Sequence, residues 1–273
     1  MMYILNLETH SMKKKWGRGQ LMHMIIACCL ALFTTINAMA QIGEHRSELS
    51  LGVNGGYMLS NVGFNPDIPQ SMLGGITGGL TVRYTCEKYF KSVCALVGEV
   101  NFAQAGWKEN ILTVEDQPVI NQVTGLPEEY QRTLTYVQIP LFARLGWGRE
   151  RKGFQFFFQV GPQVGFFLGD KVKTNFKLEE RNQADRIGAQ KEAVQDSLEI
   201  ENKFDYGIAG GIGLEYSHPK IGHFLLEGRY YYGLGDIFGN SKRDYFGRSN
   251  NGSIIVKLTY LFDIVKTKNS KIK

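Results

Sequence analysis

Residues 136–147 read YVQIPLFARLGW, and their alternation is that of a β-strand. Val137, Ile139, Leu141, Ala143 and Leu145 fall on one face, Tyr136, Gln138, Phe142 and Arg144 on the other. Two residues conflict with a soluble sheet. Pro140 has no N–H to give to a strand ladder, and Arg144 points to the side where a soluble sandwich would hide its core. A sheet whose apolar face meets lipid and whose polar face lines a narrow interior accommodates both.

The same period recurs along the chain. Eight such runs lie at about 48–59, 75–84, 94–105, 133–146, 154–168, 204–216, 223–234 and 252–262. Most exceed the five or six residues usual in soluble sheets, and a tilted strand needs about ten to cross a bilayer. One face is apolar throughout, with Tyr and Phe gathered at the strand ends as in an aromatic girdle. The other carries Asn54, Arg83, Glu99, Asn101, Gln138, Arg144, Gln159, Gln163, Glu215, Glu227, Arg229 and Lys257, interleaved with glycines such as Gly52, Gly79, Gly161, Gly207 and Gly213. In a small closed barrel that face is the interior, where small residues alternate with large ones. Links after even-numbered strands are short (GWGRERKG, SHPKIG), and those after odd-numbered strands span about 15 to 35 residues, the pattern of outer-membrane barrels. The expected fold is all-β: an eight-stranded antiparallel up-and-down transmembrane β-barrel over 41–262. Its even strand count brings both termini to the short-turn side, and a basic tail follows over 263–273.

Residues 1–40 read as an export signal removed from the mature chain. Lys13, Lys14, Lys15 and Arg18 form a basic region, Leu21–Phe33 an apolar one, and Ala38–Ala40 a small-x-small site with cleavage between Ala40 and Gln41. Residues 1–11 add nothing to such a signal, which makes Met12 a candidate start. Ile25–Cys28 loosely resembles a lipid-attachment box, a reading ranked below cleavage because it would shorten the apolar region to almost nothing. Loss of four bases and one acid lowers the net charge from +5 to +2, which gives no nucleic-acid signal. Cys86 and Cys94 alone survive processing; in an oxidising compartment they are a candidate disulfide across a hairpin, with two free half-buried thiols as the alternative.

Several strands resemble those of PorT-like outer-membrane β-barrel proteins of the Bacteroidetes. The segment Tyr136–Leu141 is similar to that family's aromatic-x-x-Ile-Pro-Leu strand, and so are GEVNFAQAGW (98–107), FFQVGPQVGFFL (157–168), FDYGIAGGIGLEY (204–216) and LLEGRYYYGLGDIF (225–238). The resemblance spans roughly 50–262. It implies barrel and compartment first; a component of type IX protein secretion is among the family's roles.

The candidate chemistry is sparse. Arg83, Arg144, Arg229 and Lys257 face Glu99, Glu215 and Glu227 across the expected lumen, and buried charges persist when paired. A salt-bridged plug is the expectation, with an ion-conducting path as the alternative. The mature chain's histidines, His45, His218 and His223, all map to the short-turn rim, which disfavours a surface lipid hydrolase of Ser-His type. His218 and His223 are read there as turn residues rather than metal ligands, and no catalytic, metal or cofactor site is expected. The glycines of 207–213 lie on a strand and precede no helix, so they are no phosphate loop. Loop three, 169–203, carries mixed charge with room for a short exposed helix. Loop four sets Phe238, Tyr245 and Phe246 beside Lys242, Arg243 and Arg248, a candidate surface for lipopolysaccharide phosphates or a protein partner of the envelope or a secretion system.

Overall fold

The computed structural model describes residues 44–89, 91–192, 198–239 and 246–266. The signal segment with Ala40 and Gln41, and the tail from 267 onward, lie outside them. Eight strands follow in order: β1 (Glu44–Asn65), β2 (Gln70–Tyr89), β3 (Ser92–Asn110), β4 (Glu129–Gly148), β5 (Gly153–Thr174), β6 (Phe204–His218), β7 (Gly222–Gly233) and β8 (Arg248–Val265). Each pairs antiparallel with the next. The ring is closed by β1 against β8, from Leu49 opposite Val265 to Asn65 opposite Arg248. Each expected range falls on one observed strand, the seventh overrunning its strand by the single residue Leu234.

The outer wall is apolar. Ile76, Leu80, Leu141, Ile212 and Leu258 are each more than half exposed, an arrangement stable only where lipid takes the place of water. The inward face follows the expected parity, with Arg83, Glu99, Gln138, Arg144, Gln159, Glu215, Glu227, Arg229 and Lys257 all buried. Pro140 points inward too. The register shift between β4 and β5 lies at Thr135/Tyr136; around Pro140 itself the register holds on both sides, but pairing lapses for two residues on each, at Ile139–Pro140 against β3 and Leu141–Phe142 against β5. The proline therefore sits at a local break in the ladder and not at a bulge.

The inward glycines serve close approach of backbone. A Cβ at Gly52 would lie 1.7 Å from the Tyr260 carbonyl oxygen on β8, and one at Gly213 would lie 2.4 Å from the tip of the Phe157 ring. The first lets two strands cross closely; the second makes room for an aromatic inside the barrel.

Three expectations are corrected. β1 to β5 and β8 run past their expected ends on the long-loop side, whereas β6 begins where expected and β7 stops one residue short, so the first loop shrinks to residues 66–69. Beyond Leu59 the alternation continues with its polarity reversed: Val62 and Phe64 point inward and are buried, whereas Asn61, Gly63 and Asn65 face out. Loop three holds a short helix among its described residues, but a partly buried one and not the exposed one expected. It holds a 3-10 turn at Leu178–Glu180 and a five-residue helix α1 (Gly188–Glu192), whose Ala189 and Gln190 are buried. Finally, Cys86 and Cys94 are both free thiols. The register shifts between Thr85 and Glu87, leaving Cys86 as the extra residue of a bulge while Glu87 faces Cys94.

Candidate functional site

The lumen brings the predicted charges together in two groups. In the first, Glu99 on β3 accepts a two-pronged pair of hydrogen bonds from Arg229 on β7, Nη1 to Oε2 at 2.9 Å and Nη2 to Oε1 at 3.0 Å. Lys257 on β8 donates to the same Oε2 at 2.6 Å, and Asn101 Nδ2 adds a bond at 2.8 Å. Arg229 also pairs with Glu227, whose other oxygen accepts from Gln159 Nε2 at 3.0 Å. The guanidinium lies 4.4 Å from the centre of the Phe142 ring, so its flat face is covered as well as its edge.

The second group lies nearer the short-turn end. Glu215 on β6 accepts from Arg83 Nη1 on β2 at 2.8 Å and from Arg144 on β4. Arg144 sits 3.8 Å from the centre of the Phe157 ring. Ser50 Oγ accepts from Arg83 Nη2 at 3.2 Å and donates to Asp263 at 2.6 Å. Each group joins strands that are not neighbours in the sheet, so the pairs cross the interior and do not run along its wall. The fixed charges of both groups cancel: two bases and two acids in each. The sequence count of four bases and three acids lacked Asp263, which the expected boundary assigned to the tail. β8 continues to Val265, and Asp263 is the next inward position after Thr259 and Leu261; extending the period by one step would have found it.

His223 was read as a turn residue and is instead part of this group. Its Nε2 lies 3.0 Å from Asp263 Oδ2, and its Nδ1 lies 2.7 Å from Glu215 Oε1 and 2.8 Å from Ser217 Oγ. The series Ser217, His223, Asp263 has the members of a hydrolytic triad but not the roles. Ser217 is 1% exposed, and its hydroxyl donates to Glu215 at 3.1 Å. A nucleophile must present its oxygen to a substrate; this hydroxyl is engaged with two fixed neighbours. His218 accepts at Nδ1 from the Lys220 amide at 3.3 Å, within its turn. Among the described residues no group of three or more His, Cys, Asp or Glu side chains converges as for a metal ion.

The long-loop end has the opposite character. Phe64 packs against Trp107 at 5.4 Å between ring centres, against Phe246 at 4.9 Å and against Phe238 at 6.1 Å. Met58, Val62, Tyr130, Leu134 and Tyr136 from the strands join Ile68, Ile111, Val119, Phe176 and Ile237 from the loops in one buried cluster. Phe238 and Phe246, expected on a binding surface, are each 2% exposed and belong to this cluster. Lys242, Arg243 and Tyr245 fall outside the described residues. Arg248 is exposed and stacks over the Tyr232 ring at 5.5 Å on the outer wall. Loops two and three are clasped above the cluster by Glu128, which accepts from Asn121 Nδ2 at 3.0 Å, the Asn182 amide at 2.7 Å and Arg186 Nη2 at 2.8 Å.

A family model for outer-membrane β-barrels agrees with this architecture. Among curated proteins there is no match. Solved structures similar to the chain include Ail of Yersinia pestis in complex with the heparin analogue sucrose octasulfate (15% identity, 79% of this chain and 99% of that one, TM-score 0.33). They also include OprG of Pseudomonas aeruginosa (12%, 80% and 97%, 0.35) and Neisserial surface protein A (9%, 80% and 100%, 0.36). The family model described as outer membrane protein beta-barrel domain matches residues 39–239. The chain belongs to that family, and it is a small β-barrel protein of the bacterial outer membrane.

Proposed function

We propose that the protein is a closed, non-enzymatic surface barrel that passes no solute and acts through its extracellular loops. One observation carries this reading: every side chain of the predicted charge network is paired inside the lumen, and an apolar cluster fed by four loops fills the opposite end. An eight-strand interior is just wide enough to be filled by side chains. With long loops outward in the usual sense of such barrels, loop two presents two small hairpin tips. Bridges between Leu112 and Pro118 and between Ile120 and Pro127 hold them, and they expose Val114, Val123 and Leu126. Apolar side chains held on rigid tips suit a protein partner or the lipopolysaccharide surface better than they suit water. Arg248 beside Tyr232 offers a cation at the edge of the wall for lipopolysaccharide phosphate. The protein reconstituted in planar bilayers is expected to give no conductance steps; steady channel currents would overturn the reading.

A second reading, an accessory role in type IX secretion, is favoured by the PorT-like resemblance of Tyr136–Leu141 and the similar strands alone. Deletion in the host separates the two: cargo trapped in the periplasm supports secretion, and normal export supports the surface role.

A further inference from the structure

The outer wall carries an apolar groove of about 600 Å³ over β6, β7, β8 and β1, at the short-turn side. Register explains it. Tyr216, Phe224 and Tyr260 form an outward aromatic row, and Leu226, Leu258 and Gly55 belong to the next row up the wall. That row ends without a side chain: a Cβ at Gly55 would meet only the Thr77 carbonyl oxygen, at 3.9 Å. One row further, Gly228 stands between Ile212 and Val256 with nothing within 4 Å of a Cβ there, and a second apolar groove of about 490 Å³ lies over it. Missing side chains among large ones leave a track that runs up the wall from the aromatic row. From Phe224 to Tyr230 it covers about 20 Å of strand. An acyl chain of the nearer leaflet needs about half of a hydrocarbon core about 30 Å thick, so the track is long enough for one.

At its short-turn end the track meets two bare cations. Phe154 packs on Tyr216, and Phe224 on Tyr260, each at 5.0 Å between ring centres. Lys152 lies on the turn that leads into Phe154, and Lys220 on the turn that joins Tyr216 to Phe224. Tyr260 Oη donates to the Ile221 carbonyl at 2.6 Å and ties that second turn to the aromatic row. Both lysines are exposed, and neither ammonium has an ion pair or hydrogen bond among the described residues. The one acid on these two turns, Glu150, is taken up by Arg46 at 3.2 Å and Lys88 at 3.1 Å. Uncompensated lysines beside an apolar groove suit a phosphate carried on a hydrocarbon chain. In the usual orientation of outer-membrane barrels the short turns face the periplasm, so that chain comes from the inner leaflet. A zwitterionic headgroup would bring its own ammonium against the two lysines. We propose that the groove holds one anionic phospholipid of the inner leaflet, its acyl chain over Gly55 and Gly228 and its phosphate between Lys152 and Lys220. This goes beyond the surface reading and uses none of the loops.

Native mass spectrometry of the barrel, purified in detergent from the membrane in which it is made, tests this with dioleoyl-phosphatidylglycerol and dioleoyl-phosphatidylcholine, which share their chains and differ in charge. One phosphatidylglycerol is expected to bind at least about fivefold more tightly than phosphatidylcholine, the factor that one lysine near an anionic headgroup supplies. The double variant Lys152→Gln/Lys220→Gln, both on exposed turns where folding is least at risk, is expected to bind the two lipids equally. Gly55→Leu fills the track and is expected to weaken both. Glycerol 1-phosphate, a headgroup without chains, is expected to displace neither. Equal binding of the two lipids by the unaltered protein overturns the proposal, as does a preference that survives the double lysine variant. Displacement by glycerol 1-phosphate, or lipid affinity unchanged in Gly55→Leu, shows that the track holds no chain and overturns it as well.

Discussion

The two ends of this lumen solve the same problem with opposite chemistry. Toward the short turns the interior is held by paired charges, among them Glu99–Arg229 and Arg83–Glu215, which bridge strands that do not touch in the sheet; toward the loops it is held by Trp107, Phe64, Phe238 and Phe246 in van der Waals contact. The difference follows from what lies outside the wall. Within the bilayer the outer face must be apolar, so period two hands the inner face to polar residues. Above the bilayer the outer face meets water. The same alternation then hands the inner face to apolar residues, and the barrel top acquires the core of a soluble domain.

The comparison can be broken most severely from the charged side. Glu99→Lys would place a third cation beside Arg229 and Lys257. Because removing one partner of a buried pair already costs about 3–5 kcal/mol, urea unfolding of this variant is expected to show at least that loss or failure to fold. At the apolar end Trp107→Ala is expected to cost about 3–5 kcal/mol through the cavity it leaves, measured the same way; a loss under about 1 kcal/mol would mean that this end is loosely packed. Glu128→Ala unclasps loops two and three. It is expected to speed protease cleavage within 175–203, at a cost of about 1–3 kcal/mol for the hydrogen bonds that Glu128 no longer accepts, while the gel shift of the folded barrel persists. The smallest effect sharpens the contrast. Replacing Glu99 and Glu227 by Leu together with Arg229 and Lys257 by Met removes a whole charge group at once. Exchange of buried ion pairs for well-packed apolar residues is often neutral or stabilising, so the fourfold variant is expected to be more stable than Glu99→Lys alone.

Strand number, order, facing and compartment were legible in the sequence because inside the membrane both faces of every strand are under constraint. The strand ends were not. At Asn61 and Asn65 the outer face turns polar just as the inner face turns apolar, and a pattern sought with one polarity stops where the polarity reverses. Asp263 was lost the same way, one step beyond an aromatic girdle residue that looked like a terminus. The inward turn of His223 was legible from its parity with Glu227 and Arg229 but was overlooked beside a turn. The burial of Phe238 and Phe246 was not legible at all, since loop residues carry no period and their cluster is assembled from distant parts of the chain.

The pairing of charges across the lumen is the central claim, and a double-mutant cycle on Glu99 and Arg229 tests it most directly. Unfolding free energies of Glu99→Gln, Arg229→Gln and the double variant should yield a coupling of about 1–3 kcal/mol. Additive losses, with coupling below about 0.5 kcal/mol, would contradict a lumen held together by these pairs.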